Sequence, residues 1–131
     1  MEILVDSTIY ISMLRQGQDP RHELAGWAAS GWLHGCGIIR AEVLRGCRHP
    51  GVRDDLAAFF DLRAEPAMDA AFWREVAGLA WRLDRQGDVL PLTDLALATV
   101  ASNLDAAVVS TDPHFARVPG LQVLAQVPAL A

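Results

Sequence analysis

The chain alternates short apolar runs with longer segments in which apolar and polar positions recur at helical spacing. The first run, Ile3–Val5, ends at Asp6, and the two residues after it also favour the start of a helix. The pattern therefore predicts a strand, followed by a helix from about Ser7 to Leu14. Further short apolar runs predict strands within Gly31–Ile38, where three glycines interrupt the pattern, at Ala106–Ser110 and at Leu121–Leu124.

Helical spacing recurs between these runs. In His22–Ala29, Leu24, Trp27 and Ala28 share one face, and a long amphipathic helix is predicted from Asp69, a good N-cap, to about Arg85. Other predicted helices are Ile39–Cys47, Gly51–Phe60 and Thr93–Asn103, with loop or extended segments at Gln16–Pro20, Leu62–Pro66 and Leu90–Leu92. Because strands alternate with helices and no hairpin signal joins them, we expect an α/β sandwich around a mostly parallel sheet, in one domain spanning residues 1–131.

Composition supports a compact chain with a core of its own. The sequence is 52% apolar and 21% charged, and its two cysteines, Cys36 and Cys47, form no CxxC pair. We expect both thiols to be reduced and buried, as in a cytoplasmic protein. The first residues lack the basic and long apolar regions of a signal peptide, and no run of about 18 apolar residues predicts a membrane span.

Every basic residue is an arginine, and the chain has no lysine. This absence excludes Schiff-base chemistry and a P-loop, and it argues against a phospho-acceptor receiver domain with a lysine beside its phosphate. The histidines His34, His49 and His114 pair with no serine or cysteine in a nucleophile motif, so a hydrolase triad is not expected. His114 lies two residues after Asp112, where it belongs to a turn or approaches a substrate phosphate.

Four acids stand at element boundaries or on a helix face: Asp6, Glu42, Asp94 and Asp112. Ligands of parallel sheets collect beyond the carboxyl ends of the strands, and Asp6 and Asp112 each follow a predicted strand. Clustered carboxylates repel one another and generally require a cation. A site made of oxygen ligands favours Mg²⁺ or Mn²⁺ and suits phosphodiester chemistry.

Each acid also has a purely structural interpretation. Asp6 is placed to cap the following helix, and Glu42 to face solvent. Either Thr93 or Asp94 is placed to cap the alanine-rich helix, and Asp112 before Pro113 is a common start of a turn. The four acids in order carry more weight than any one of them.

In these segments the chain resembles the PIN domain, and within it the VapC-type ribonuclease toxins of bacterial toxin–antitoxin pairs. The resemblance rests on ILVDSTIYI, IIRAEVLRG, LPLTDLALATVA and STDPHF followed by VPGL. It implies a three-layer α/β/α sandwich and an endoribonuclease in which Asp6, Glu42, Asp94 and Asp112 hold one or two Mg²⁺ or Mn²⁺ ions. In that mechanism, water activated by the metal attacks the phosphorus and leaves a 5′ phosphate.

The resemblance also implies supporting residues. Thr8 and Thr111 would orient the carboxylates, although helix and turn capping are equally open to them. Without the four acids the chain has twelve acids against eleven arginines, so its net charge of −5 does not argue against RNA. Arg40, Arg45, Arg48 and Arg117 are candidate RNA contacts, with antitoxin contacts or a solvated face as alternatives.

The expected partners are an RNA substrate, a cognate antitoxin that covers the cleft, and a second copy of the chain in a homodimer. Trp27, Trp32, Phe59 and Phe60 are candidates for an apolar groove, or for the core. Two other functions remain open, namely an RNA-processing nuclease without an antitoxin and a PIN fold kept as a non-catalytic interaction module.

Overall fold

The computed structural model describes residues 1–130 of the chain and is built on a sheet of four parallel strands. The strands lie in the order β2-β1-β3-β4 and comprise β1 (Ile3–Val5), β2 (Leu33–His34), β3 (Ala107–Val109) and β4 (Val123–Leu124). All three pairings are parallel. The α/β class and the parallel sheet predicted from the sequence are therefore confirmed.

Seven α-helices and one 3₁₀ helix are found among the described residues. They are α1 (Ser7–Arg15), α2 (Pro20–Glu23), α3 (Ala25–Ser30), α4 (Gly37–Arg45), α5 (Pro50–Asp61), α6 (Ala70–Arg85), α7 (Leu92–Leu104) and the 3₁₀ helix Pro113–Arg117. Helix α1 packs on α4 and α4 on α5, whereas α6 packs on α7. The helices flank the sheet as an α/β/α sandwich, as expected.

The strand order reverses between β1 and β3. The chain leaves β1 for β2 on one side of the sheet, and β3 pairs with the other side of β1, with Val5 opposite Val109. Both strands are fully buried, as strands covered by helices on both faces should be. A crevice beyond their carboxyl ends is the usual ligand site of such a sheet.

The helix predicted over His22–Ala29 is divided in two. Helix α2 begins earlier than predicted, at Pro20, where the Asp19 carboxylate caps it by accepting from the backbone N–H of Arg21. The break falls at Leu24, whose ψ of 9° departs from helical geometry. Leu24 is fully buried, and the indole N–H of Trp27 donates to the carbonyl of Pro128 at 2.8 Å. Tertiary packing thus places the break, and no glycine or proline marks it.

Smaller differences occur at other element boundaries; for example, α4 begins at Gly37 and ends at Arg45, two residues before the predicted bounds at each end. Helix α7 begins at Leu92, so the predicted extended segment Leu90–Leu92 ends one residue early. The chain after β3 forms the 3₁₀ helix, where the sequence predicted only a turn beginning at Asp112. Proline at its first position fixes the φ angle that this helix needs.

The core takes in most of the aromatic side chains that were candidates for a groove. Trp27, Phe59 and Phe60 are buried, whereas Trp32 is 42% exposed. Both cysteines are free thiols, with Cys36 buried and Cys47 half-buried. Within residues 1–130, no helix has the length and apolar character needed to cross a membrane.

Candidate active site

Asp6 follows β1 directly and lies at the carboxyl end of the sheet. Its backbone is the N-cap of α1, but its side chain makes no capping hydrogen bond. The carboxylate instead accepts from the hydroxyl of Thr8 at 2.9 Å and from that of Ser110 at 2.8 Å, both at Oδ2. The interpretation of this side chain as a helix cap is therefore wrong, and two hydroxyls hold a buried carboxylate in one orientation.

Glu42 approaches from α4, which packs against α1. Its Oε1 atom accepts a long hydrogen bond from the hydroxyl of Ser7, at 3.4 Å. Partial burial raises the pKa of the Glu42 carboxyl above its ordinary value, and the negative charges of Asp6 and, more weakly, Asp94 raise it further. Glu42 thus lies within electrostatic range of two other acids.

Asp94 is the third residue of α7. The N-cap of that helix is Pro91 and no side chain caps it, so neither Thr93 nor Asp94 has the capping role considered from the sequence. The Asp94 carboxylate lies 2.7 Å from Nδ1 of His114. Burial raises its pKa, the hydrogen bond with His114 opposes that effect, and the charges of Asp112 and Asp6 add to it.

Asp112 precedes the 3₁₀ helix and caps it, because its Oδ1 atom accepts from the backbone N–H of His114 at 2.9 Å. The backbone N–H of Asp112 donates to the hydroxyl of Ser110 at 3.0 Å. Ser110 therefore ties Asp112 to Asp6. The turn-start interpretation of Asp112 holds, and the same geometry turns its carboxylate toward His114 Nδ1, 3.1 Å away.

The structure brings the four acids together from four segments of the chain. The charges of Asp6 and Asp94 raise the pKa of Glu42, and the charges of Asp112 and Asp6 raise the pKa of Asp94, so the acids lie within electrostatic reach of one another. Donor atoms of Asp94, Asp112 and His114 lie within 4.8 Å of one another, close enough to hold one ion, whereas Asp6 and Glu42 are not part of that cluster among residues 1–130. Carboxylate oxygens suit Mg²⁺ or Mn²⁺, whereas an imidazole nitrogen suits transition metals such as Zn²⁺. The Nδ1 atom of His114 is moreover already engaged by both carboxylates. The donor set is thus suited to a divalent cation.

Sequence reasoning missed Ser7 and Ser110, which hydrogen-bond the acids, and it left the role of His114 open. The signal for Ser110 was a polar residue at the end of a buried strand. Its significance depends on the pairing of β3 with β1, which places Ser110 beside Asp6. Strand order cannot be read from local patterns, so the signal could not be used.

The two threonines differ in their contacts. Thr8 touches Asp6, as described above. Thr111 is exposed, and among the described residues its hydroxyl makes no hydrogen bond to a carboxylate. It lines a cleft of about 480 Å³ beside the acids, together with Thr8 and residues of α1.

The four candidate arginines lie in different environments. Arg40 is paired with Asp61 at 2.7 Å and Glu65 at 3.2 Å, and its guanidinium lies over the ring of Phe60. Arg45 is exposed at the end of α4, and its charge lowers the pKa of Glu42. Arg48 and Arg117 are exposed too, at the entry to α5 and the end of the 3₁₀ helix.

His34 and His49 have structural partners away from the acids. Nδ1 of His49 caps α5 by accepting from the backbone N–H of Gly51 at 3.2 Å. Nε2 of His34 contacts the carboxylate of Glu2.

Comparison with known proteins gives one family match. A family model described as the PIN domain matches residues 3–121 of the chain. No curated protein matches the sequence significantly.

Several solved structures share the fold at low sequence identity. VapBC from Salmonella typhimurium bound to DNA is similar with a TM-score of 0.75 and 17% identity, over 94% of this chain and 96% of that one. VapBC2 from Rickettsia felis, bound to a DNA fragment from the promoter, has a TM-score of 0.74 and 20% identity, over 94% and 97%. A toxin–antitoxin complex from Klebsiella pneumoniae has a TM-score of 0.63 and 20% identity, over 92% and 95%.

Proposed function

The chain belongs to the PIN domain family, and on that premise we propose that it is an endoribonuclease dependent on Mg²⁺ or Mn²⁺, of the VapC toxin type. The observation that carries the proposal is the meeting of Asp6, Glu42, Asp94 and Asp112 at the carboxyl end of the sheet. Burial raises the pKa of the Glu42 and Asp94 carboxyls, the charges of neighbouring acids raise both further, and a bound cation would offset these effects. We propose these four carboxylates as its ligands.

A divalent cation in this site supplies Lewis acidity, which favours ionisation of water and stabilises charge that develops on phosphate oxygens. The protein supplies orientation. Thr8 and Ser110 fix the Asp6 carboxylate, Ser110 also fixes the backbone at Asp112, and His114 holds Asp94 and Asp112 together. Ligands held by such contacts need little rearrangement during the reaction.

An antitoxin is the protein partner that we propose. The structural neighbours include toxin–antitoxin complexes, and this supports a partner of that kind. The guanidinium groups of Arg45, Arg48 and Arg117 are exposed and available to RNA or to the antitoxin, whereas that of Arg40 is already paired with two carboxylates. We propose a single PIN domain that pairs as a homodimer and acts in the cytoplasm.

Cleavage of a mixed RNA pool by the purified protein tests this function. Cutting is expected with Mg²⁺ or Mn²⁺ and not with EDTA, and matched single-stranded DNA should be cut more slowly. Asp94→Asn should abolish cleavage, since it removes one negative ligand and leaves the side-chain shape. Asp84→Asn is the matched control, because Asp84 is exposed on α6 and should tolerate the change. Metal-independent cutting, or full activity of Asp94→Asn, would contradict the proposal.

The toxin assignment has a test of its own. Expression of the chain in a bacterial host should arrest growth, and expression of Asp94→Asn should not. Normal growth with the active enzyme present would favour an RNA-processing nuclease without an antitoxin.

A further inference from the structure

One face of α1 leads away from the four acids. Thr8, Ile11, Ser12 and Arg15 are spaced three or four residues apart, so they lie along one side of the helix. These four residues and Thr111 line the cleft of about 480 Å³ beside the acids. With a rise of about 1.5 Å per residue, Arg15 lies roughly 10 Å along the helix from Thr8, which touches Asp6.

A second cleft lies between α1 and α4. It has a volume of about 580 Å³ and is lined by Ile11, Leu14, Arg15, Val43, Gly46 and Arg48. Ile11 and Arg15 line both clefts, so Arg15 stands where they adjoin. Val43 and Gly46 belong to α4 and its C-cap, so the second cleft lies against the helix that carries Glu42.

The charges in these clefts have one sign. No carboxylate lines either cleft, and within residues 1–130 none lies within 4.0 Å of the guanidinium of Arg15 or Arg48. Other arginines of the chain do have such partners: Arg21, Arg40 and Arg53. Two unneutralised guanidinium groups in one cleft repel each other, and an anion between them offsets that repulsion.

We propose that Arg15 binds a backbone phosphate of single-stranded RNA, one or more nucleotides from the bond that is cut, with Arg48 on the opposite wall of the cleft. This inference rests on the proposed function. A guanidinium matches phosphate geometry with two parallel hydrogen bonds. Ile11 and Leu14 line this cleft and offer apolar contacts to the sugars between phosphates. Arg15 thereby sets the path of the strand along α1.

Binding of a fluorescein-labelled, mixed-sequence single-stranded RNA tests this path. The measurement uses the Asp94→Asn protein with Mg²⁺, so that the RNA is not cut, with and without Arg15→Gln. The added change should weaken binding about three- to tenfold and reduce the slope of log affinity against log salt by about one unit. In the otherwise native enzyme, Arg15→Gln should raise KM for RNA and change kcat little.

Arg74→Gln is the matched control, because Arg74 is exposed on α6 and lines a different cleft, beside the far end of α7. It should alter neither the affinity nor the salt slope. If the enzyme cuts RNA but Arg15→Gln changes neither the affinity nor the salt slope, the role proposed for Arg15 fails while the proposed nuclease function stands. That result would point to a protein partner in this cleft. If the native enzyme cuts no RNA, the proposed function itself fails. Equal melting temperatures of the variants show that loss of binding is not loss of fold.

Discussion

Two hydroxyl groups orient the Asp6 carboxylate, one from a residue near it in sequence and one from a residue far away. Thr8 is two positions away and was visible as a candidate from the sequence, whereas Ser110 is 104 positions away and came from the sheet. Ser110 does more than Thr8, since it also accepts from the backbone N–H of Asp112. For single residues, the sequence therefore predicted the four acids. It predicted a hydroxyl that orients an acid only where the two residues are close in sequence.

Ser110→Ala should therefore affect both stability and metal binding. It removes a donor to a buried carboxylate and leaves the N–H of Asp112 without that acceptor, which should lower the free energy of unfolding by about 1–3 kcal/mol. Affinity for Mn²⁺ should fall about 10- to 100-fold, as measured by titration calorimetry. Thr111→Val is the comparison, because Thr111 is exposed. Equal losses in the two variants would show that the hydrogen bonds of Ser110 do not matter.

The raised pKa of Glu42 predicts a pH dependence. A carboxyl with a higher pKa in the folded state binds more protons when folded, so the stability linked to it is present at low pH and lost as pH rises. In EDTA, Glu42→Gln should become increasingly more stable than the native chain between about pH 4 and pH 7, by thermal unfolding. Glu75→Gln, on an exposed face of α6, controls for the loss of one charge. A stability difference that does not vary with pH would contradict this assignment.

Helices and strands with strong local signals were predicted well. Strand β1 and helix α6 follow from an apolar run and from an amphipathic pattern beginning at an N-cap, and both were found. The break at Leu24 and the 3₁₀ helix were not predicted. The break depends on burying Leu24 while Trp27 reaches Pro128, and such distant contacts leave no local mark. Element boundaries thus follow local chemistry except where the core overrides it.

The N-cap of α6 offers a test at this scale. The Asp69 carboxylate accepts from the backbone N–H of Phe72 at 3.0 Å, so Asp69→Ala leaves that donor unsatisfied. The free energy of unfolding should fall by about 1 kcal/mol, measured as a lower denaturant midpoint with an unchanged slope. Asp69→Asn retains a side-chain oxygen and should lose much less. Equal destabilisation by alanine and asparagine would show that the cap hydrogen bond is not the cause.

For the whole molecule, the decisive property is strand order. The sequence predicted acids after two strands, but it could not show that those strands are neighbours. In the order β2-β1-β3-β4, the two strands β1 and β3 are neighbours. The point at which the strand order reverses therefore lies between Asp6 and Asp112. Helices α4 and α7 then bring Glu42 and Asp94 to the same edge. The cluster is therefore a consequence of topology, and it concentrates negative charge at one edge of the fold.

Because four negative carboxylates lie at one edge of the fold, a bound cation should raise the stability of the whole chain. Since an ion that binds only the folded state stabilises it by mass action, Mn²⁺ at about 100 times its Kd should add about 2.7 kcal/mol. The melting temperature should rise by roughly 10 °C for a chain of this size. Asp94→Asn should lose most of this increase, and Asp84→Asn should keep it. Because ordinary salt only screens charges, sodium chloride at equal ionic strength should have a much smaller effect. An equal rise with sodium chloride would mean that the four carboxylates repel one another but hold no ion.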